Sequence, residues 1–262
     1  MPLLFYFIKI MVIQTILKRG SDHHNFCQDF LSIGENDKYV YLAVFDGCSG
    51  GIYSHFASAL FGKAFKDVVL NFPASSETQE TNARLMVYMI SRKVSEVKQI
   101  LKLNVAELLS TMIFCSIDKQ TKECKIYAFG DGFISVDGHD IVIKNTRFIE
   151  KENGENMPDY IAYDLDLIES YADFEYWWST KSDKYSFENV QNISIASDGL
   201  LTFKKFKQEG EDIDAINYLI HDEKFIDNKI MLERKCNILL NKHFMTHTDD
   251  LSIIRVKMDS VS

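Results

Sequence analysis

Proline is scarce in this chain, three residues in 262, and glycine numbers only twelve. That excludes collagen-like and proline-rich linker proteins. Cysteine is scarce and odd in number: Cys27, Cys48, Cys115, Cys124 and Cys236, with no CxxC spacing. The pattern argues against a disulfide framework or a zinc knuckle and predicts a reducing, cytoplasmic setting. Clustered cations are missing as well. Lys plus Arg total 29 against 38 Asp plus Glu, a net charge of −9, so neither nucleic acid nor an anionic membrane is an expected partner. Repeats and low-complexity tracts are absent. The one long apolar run, residues 1–17 (MPLLFYFIKIMVIQTIL), carries Lys9 in its middle. It is shorter than the roughly 20 residues of a membrane span, and it lacks a basic start and a small-residue cleavage site. Val12, Ile13, Thr15 and Ile16 predict one or two buried strands there.

What is present is an ordinary globular mix, 46% hydrophobic and 26% charged, long enough for one large domain or two small ones. Residues 38–45 (KYVYLAVF) predict a buried strand ending in DGCSGG. Periodicity predicts helices over 54–71 and 83–103, with a polar loop over 75–82 between them. Short strands follow at 111–117, 123–129, 132–136 and 140–144, with Asp137-Gly138 as a hairpin turn before the last. Residues 145–190 are irregular, aromatic and charged. A strand at 192–196, helical stretches at 211–221 and 227–243, and a final strand at 251–256 complete the reading. Strands, two long helices, then more strands do not make a βαβ rhythm. The order predicts an α+β layered fold with antiparallel sheets.

Aspartates stand at the strand ends, each beside glycine or another turn residue: Gln28-Asp29, Asp46-Gly47, Asp131-Gly132, Asp198-Gly199 and Asp249-Asp250. Taken singly, an Asp-Gly pair is an ordinary turn. Five, each adjoining an apolar run, suggest carboxylates converging on a sheet rim. Such a set repels itself unless a cation lies between its members, and hard oxygen ligands suit Mg²⁺ or Mn²⁺ rather than zinc.

The ordered motifs QDF, VFDGCSGG, STMIFCSID, YAFGDG, IASDGL and TDDLSIIRV resemble those of the PPM-type (type 2C) metal-dependent Ser/Thr protein phosphatases, over about residues 18–257. The GS-x-HH opening looks like the bacterial branch. The resemblance implies a four-layer α-β-β-α sandwich, a single domain over 1–262, and a variable flap-like segment at about 145–190. It implies that Asp46 bridges two Mg²⁺ or Mn²⁺ ions and that the Gly47 carbonyl binds one of them. Asp198 and Asp249 would bind the other ion, and Asp29 would hold metal-bound waters. Asp131 would belong to a third, weaker metal site. Asp46, Asp198 and Asp249 would be catalytic through a metal-activated water. Ser110 and Thr111 would be structural, and Asp250 would orient its loop. The implied activity is hydrolysis of phosphomonoesters on a phosphoprotein by a monomeric enzyme. Two ions roughly 3.5–4 Å apart can acidify a shared water, and with three direct carboxylates the site is left at about +1, attractive to phosphate.

Two positions depart from that family. Many members carry Arg five residues before the QD aspartate, where this chain has His24, and imidazole cannot copy the guanidinium fork. His23 and His24 are the candidates to contact phosphate instead. Many members also have DGHGG, where this chain has Cys48, a small packing residue and a poor acid. The expectation is a relative preference for aryl phosphates, which leave without protonation. The competing reading is a catalytically weak or silent module of the same fold that binds a phosphoprotein or a regulatory partner. Retention of the aspartates favours the enzyme. The pair His243 and His247 reads as a helix end, and Trp177-Trp178 as packing.

Overall fold

The computed structural model describes residues 11–51, 53–72, 77–144, 146–148, 156–181, 183–209, 211–226 and 228–258. The strands are β1 (Met11–Lys18), β2 (Asp29–Glu35), β3 (Tyr39–Asp46), β4 (Met112–Asp118), β5 (Cys124–Phe129), β6 (Asp131–Val136), β7 (His139–Lys144), β8 (Thr146–Phe148), β9 (Asn156–Pro158), β10 (Asp183–Phe187), β11 (Asn192–Ala196), β12 (Phe203–Lys205), β13 (Met245–His247) and β14 (Leu251–Met258). The α-helices are α1 (Ser54–Asn71), α2 (Gln79–Leu101), α3 (Tyr171–Lys181) and α4 (Met231–Lys242). Two five-stranded antiparallel sheets run β1-β14-β11-β6-β7 and β10-β5-β4-β3-β2.

Residue alternation along each strand explains the layering, because successive side chains face opposite sides of a sheet. On β3, Tyr39, Tyr41, Ala43 and Phe45 join one buried cluster with α1, α2 and α3. Val40, Leu42 and Val44 from the same strand join a second cluster with Ile193, Ile195, Ile254 and Val256 of the facing sheet. A third cluster packs Phe133, Leu251 and Ile253 against Met231, Leu232, Cys236 and Leu239 of α4. Helices, sheet, sheet and helix therefore form four layers, the sandwich the resemblance implies. The middle interface is aliphatic, and the α1–α3 interface is aromatic.

The helices form where apolar spacing gives one face. α2 buries Ala83, Met86, Val87, Ile90 and Val94 at i, i+3, i+4, i+7 and i+11. It starts at Gln79, inside the polar stretch expected to be loop, because the Thr78 hydroxyl accepts from Thr81 N. It stops at Lys102, whose left-handed φ of 55° lets Leu103 N reach the Lys98 carbonyl at 2.9 Å. Asp137 and Gly138 take φ of 48° and 84°, the two left-handed positions of the expected hairpin turn. The Asp137 carboxylate then accepts from Asn192 N at 2.7 Å.

Several expectations need correction. Of the stretch 211–221, only 215–221 is helical, ending in a π turn at Asn217–His221. The stretch 145–190 contains β9, α3 and β10 rather than irregular chain alone. His243 caps α4, but His247 lies on β13, so the two do not share a helix. Trp177 and Trp178 are buried, and Trp177 stacks on Phe129 at 5.3 Å, as packing predicts. The expected N-terminal strand is β1; residues 1–10 lie outside the described residues.

Candidate metal centre

Antiparallel pairing brings the aspartate-bearing ends to one rim. Asp29 opens β2 and Asp46 closes β3, and the register places them opposite each other. Ala196, closing β11, pairs with Phe133 near the start of β6 and with Ile253 near the start of β14. Asp198 follows the first of these ends, Asp131 begins the second, and Asp249 and Asp250 precede the third. Asp29 and Asp46 thus sit on one sheet and Asp131, Asp198 and Asp249 on the other.

Local bonds fix these ends. Asp46 N donates to the Thr111 hydroxyl at 3.1 Å, and Thr111 N donates to the Asp46 carbonyl at 2.8 Å. Gly47 has no room for a side chain: an added Cβ would lie 2.2 Å from the Ser54 carbonyl oxygen. At Gly199 a Cβ would lie 1.8 Å from the Asp250 carbonyl oxygen, so the turns at 198 and 249 can only nest around glycine. The Thr202 hydroxyl ties the same turns together. It donates to the Gly199 carbonyl at 2.8 Å and accepts from Thr248 N and Asp249 N, each at 3.2 Å.

Asp250 is buried and fully engaged. Its carboxylate accepts from Gly20 N at 2.7 Å and Gln28 N at 2.5 Å, and pairs with His23 Nδ1 at 2.6 Å. It is a scaffold for the 20–28 loop. His23 Nε2 also lies 3.4 Å from Asp249 Oδ1. Burial alone would lower the His23 pKa, but the bond to Asp250 and the charges of Asp250, Asp249 and Asp29 outweigh it and raise it. His24 is exposed, with its carbonyl accepting from Arg19 Nη1 at 2.7 Å. The imidazole that reaches the carboxylates is therefore that of His23.

The remaining carboxylates are electrostatically frustrated. Burial pushes the Asp29 carboxyl up to about 7, with the Asp250 charge adding to the rise. The Ser197 and Ser252 hydroxyls temper this. Yet Ser197 Oγ already donates to the Asp250 carbonyl at 3.3 Å, and neither Asp29 carboxylate oxygen has a hydrogen bond among the described residues. Asp198 Oδ1 is likewise buried without a partner there. Burial, then Asp29 and Asp198, push Asp46 well above the ordinary range. Burial raises Asp131 to about 6, with Asp198 and Asp249 contributing, and burial also raises Asp249. Each interacting carboxylate makes the others harder to ionise, which is the condition a divalent cation relieves.

The donor set fits hard divalent ions in type, all carboxylate and carbonyl oxygen. It does not form a closed shell: among the described residues, no three His, Cys, Asp or Glu side chains already stand together as a metal-holding group. The strand register sets Asp29 opposite Asp46, and the charges of Asp29, Asp198 and Asp249 act on Asp46. Sequence reasoning did not single out Thr202, Gly20 or the dominance of His23. The Thr202 hydroxyl follows SDG by three residues, but its partners lie more than 40 residues away.

Comparison with known proteins bears on the fold and the family. No curated protein matches the chain in sequence. Solved structures share its fold at low identity. The Ser/Thr phosphatase Stp1 from Staphylococcus aureus matches at TM-score 0.61 and 14% identity, covering 95% of both chains. RsbX in complex with magnesium matches at TM-score 0.53 and 15% identity, covering 95% of this chain and 96% of that one. The phosphatase domain of SpoIIE from Bacillus subtilis, with a fragment of its regulatory domain, matches at TM-score 0.53 and 14% identity. There 96% of this chain is covered but only 64% of the SpoIIE chain. The sequence profile described as protein phosphatase 2C matches residues 19–228, most of the chain, and by that match the chain belongs to the protein phosphatase 2C family.

Proposed function

We propose that the protein is a Mg²⁺- or Mn²⁺-dependent phosphatase of phosphoserine and phosphothreonine proteins, working as one domain. The observation that carries this is the facing pair Asp29 and Asp46: both Asp29 carboxylate oxygens are buried without a hydrogen bond among the described residues, and the charges of Asp198 and Asp249 on the other sheet act on Asp46. Asp46, the Gly47 carbonyl, Asp198 and Asp249 would hold two ions, with Asp29 beside them and Asp131 at a third, weaker site. What such ions supply when bound is positive charge for phosphoryl oxygens and a water acidified toward neutral pH.

The chain's own groups do the rest. Thr111 and Thr202 hold the carboxylate-bearing turns in place. Asp250 anchors the loop that carries His23, and His23 presents its Nε2 at the edge of the cluster, 3.5 Å from the Ser49 hydroxyl. Cys48 belongs to the buried aromatic cluster rather than to the mouth of the site. No strong acid therefore stands in that position to protonate a leaving alkoxide. No helix among the described residues is long and apolar enough to cross a membrane.

The test is Asp46→Asn, assayed with a phosphoserine peptide and p-nitrophenyl phosphate in Mn²⁺, Mg²⁺ or EDTA. Turnover and metal affinity should fall together, by more than the ~10–100-fold typical of losing a supporting residue. Unchanged turnover would defeat the assignment.

A further inference from the structure

Away from the carboxylate rim, one hollow combines cations with polar walls. It lies between the end of β1, the loop after it, the β12–β13 pair and α4, and Lys18, Arg19, Ser21, Thr246 and His247 line it. Its volume is about 170 Å³. That is room for roughly five to six waters, enough for a tetrahedral oxyanion or one acidic side-chain end and too little for a nucleotide.

The walls are firmly built. Ser21 N donates to the His247 carbonyl at 3.1 Å and Asp22 N to the Thr248 carbonyl at 3.0 Å. Phe203 pairs with His247 across β12 and β13. Gly20 is pressed so closely on Thr248 that a Cβ would lie 2.3 Å from its carbonyl oxygen.

Lys18 lines the hollow together with Cys236 and His247. His247 Nδ1 bonds the Asp249 carbonyl at 2.8 Å and so carries its proton there. The formal positive charges lining the hollow are those of Lys18 and Arg19. Arg19 donates through Nη1 to the His24 carbonyl. Among the described residues, neither Lys18 nor Arg19 has an acidic partner within ion-pair distance. Glu233 of α4 borders Lys18 in an adjoining hollow without pairing with it. In a chain of net charge −9, two neighbouring cations without counter-ions, at the mouth of a polar cavity, lack an anion.

We propose that this hollow is a binding subsite for a small oxyanion, phosphate or carboxylate, distinct from the carboxylate rim. Its occupant comes either from free inorganic phosphate or from a second acidic group on the protein substrate; only the latter source rests on the phosphatase reading. The loop 19–23 joins the two places, because Ser21 lines the hollow while His23 bonds Asp250 at the rim.

The experiment uses the Asp46→Asn protein in EDTA, titrated with inorganic phosphate and followed by amide chemical shifts. Saturable shifts are expected at Gly20, Ser21, Thr246 and His247, weakened about tenfold by Lys18→Gln or Arg19→Gln and by added salt. Absence of saturable shifts, or binding indifferent to both substitutions, overturns the proposal. Neither hydrolysis nor metal enters this readout, so its failure is separable from failure of the phosphatase reading. Circular dichroism confirms that each variant is folded. A second arm compares the otherwise wild-type enzyme with its Lys18→Gln variant on phosphopeptides with and without a further acidic residue. Loss of a KM advantage in the variant assigns the subsite to substrate, and an unchanged ratio assigns it to free phosphate.

Discussion

Replacing Asp29 by Asn should stabilise the metal-free protein at alkaline pH. Burial lifts the Asp29 carboxyl from 3.8 to about 7. A carboxyl raised on folding stabilises the fold below its unfolded pKa, and that contribution is lost as pH rises through the folded pKa. The window is therefore pH 4 to 7. A rise of about three units corresponds to roughly 4 kcal/mol disfavouring the ionised fold at pH 8, and about 2 kcal/mol at pH 5. Asn removes this titration but leaves a buried amide without full hydrogen bonding, which costs about 1–3 kcal/mol. The net is a gain of about 1–3 kcal/mol at pH 8 and little or a slight loss at pH 5. At 2–4 °C per kcal/mol for a chain of this size, Tm in EDTA should rise by roughly 2–12 °C at pH 8. Saturating Mn²⁺ should reverse the order, because wild type gains binding energy that the variant has weakened. Differential scanning calorimetry at both pH values, with EDTA and with Mn²⁺, provides the measurement. A variant equally destabilised at pH 5 and pH 8 would refute the argument that Asp29 stands in a frustrated carboxylate cluster.

Other substitutions probe the supports. Gly199→Ala forces a Cβ against the Asp250 carbonyl and should cost at least about 1–3 kcal/mol in urea unfolding; a silent substitution would contradict the nesting of those two turns. Thr111→Val removes the acceptor for Asp46 N and should cost about 1–2 kcal/mol, with Mn²⁺ affinity falling ~10–100-fold by calorimetry. Intact affinity would show that Thr111 does not position Asp46. With Cys48 buried, the ratio of p-nitrophenyl phosphate to phosphoserine-peptide kcat/KM should exceed that of a family member carrying His at that position; an equal or lower ratio would remove Cys48 from the account.

The sequence carried the fold where a signal was local. The periodicity of 54–71 matches α1 at both ends, and the strand expected at 192–196 is β11. It failed where long-range packing decided the outcome. Gln79 and Asn82 read as loop residues, yet they are buried at the start of α2, with Gln79 Nε2 donating to the Ser116 carbonyl at 2.8 Å. α3 was hidden because its bulky run YADFEYWW lacks a clean helical stripe; its Phe174, Trp177 and Trp178 are held by the aromatic core. The strands β12 and β13 are three residues each and about 40 residues apart, so no window contains both. At the site, the aspartates were legible because each adjoins a strand end or turn. The choice of His23 over His24 was not, because it depends on Asp250, 227 residues away.

The carboxylate rim straddles two sheets, and between those sheets lies an aliphatic layer that includes Val40, Leu42, Val44, Ile195, Ile254 and Val256. The span between Asp46 and the aspartates on the far sheet is thereby gauged by the girth of these side chains. A lost methyl group in this layer is a change of ruler. It would shift the aspartates of one sheet relative to those of the other. Drift in this middle layer should therefore be held to volume-preserving exchanges, while the outer helices remain free to vary in size and contour.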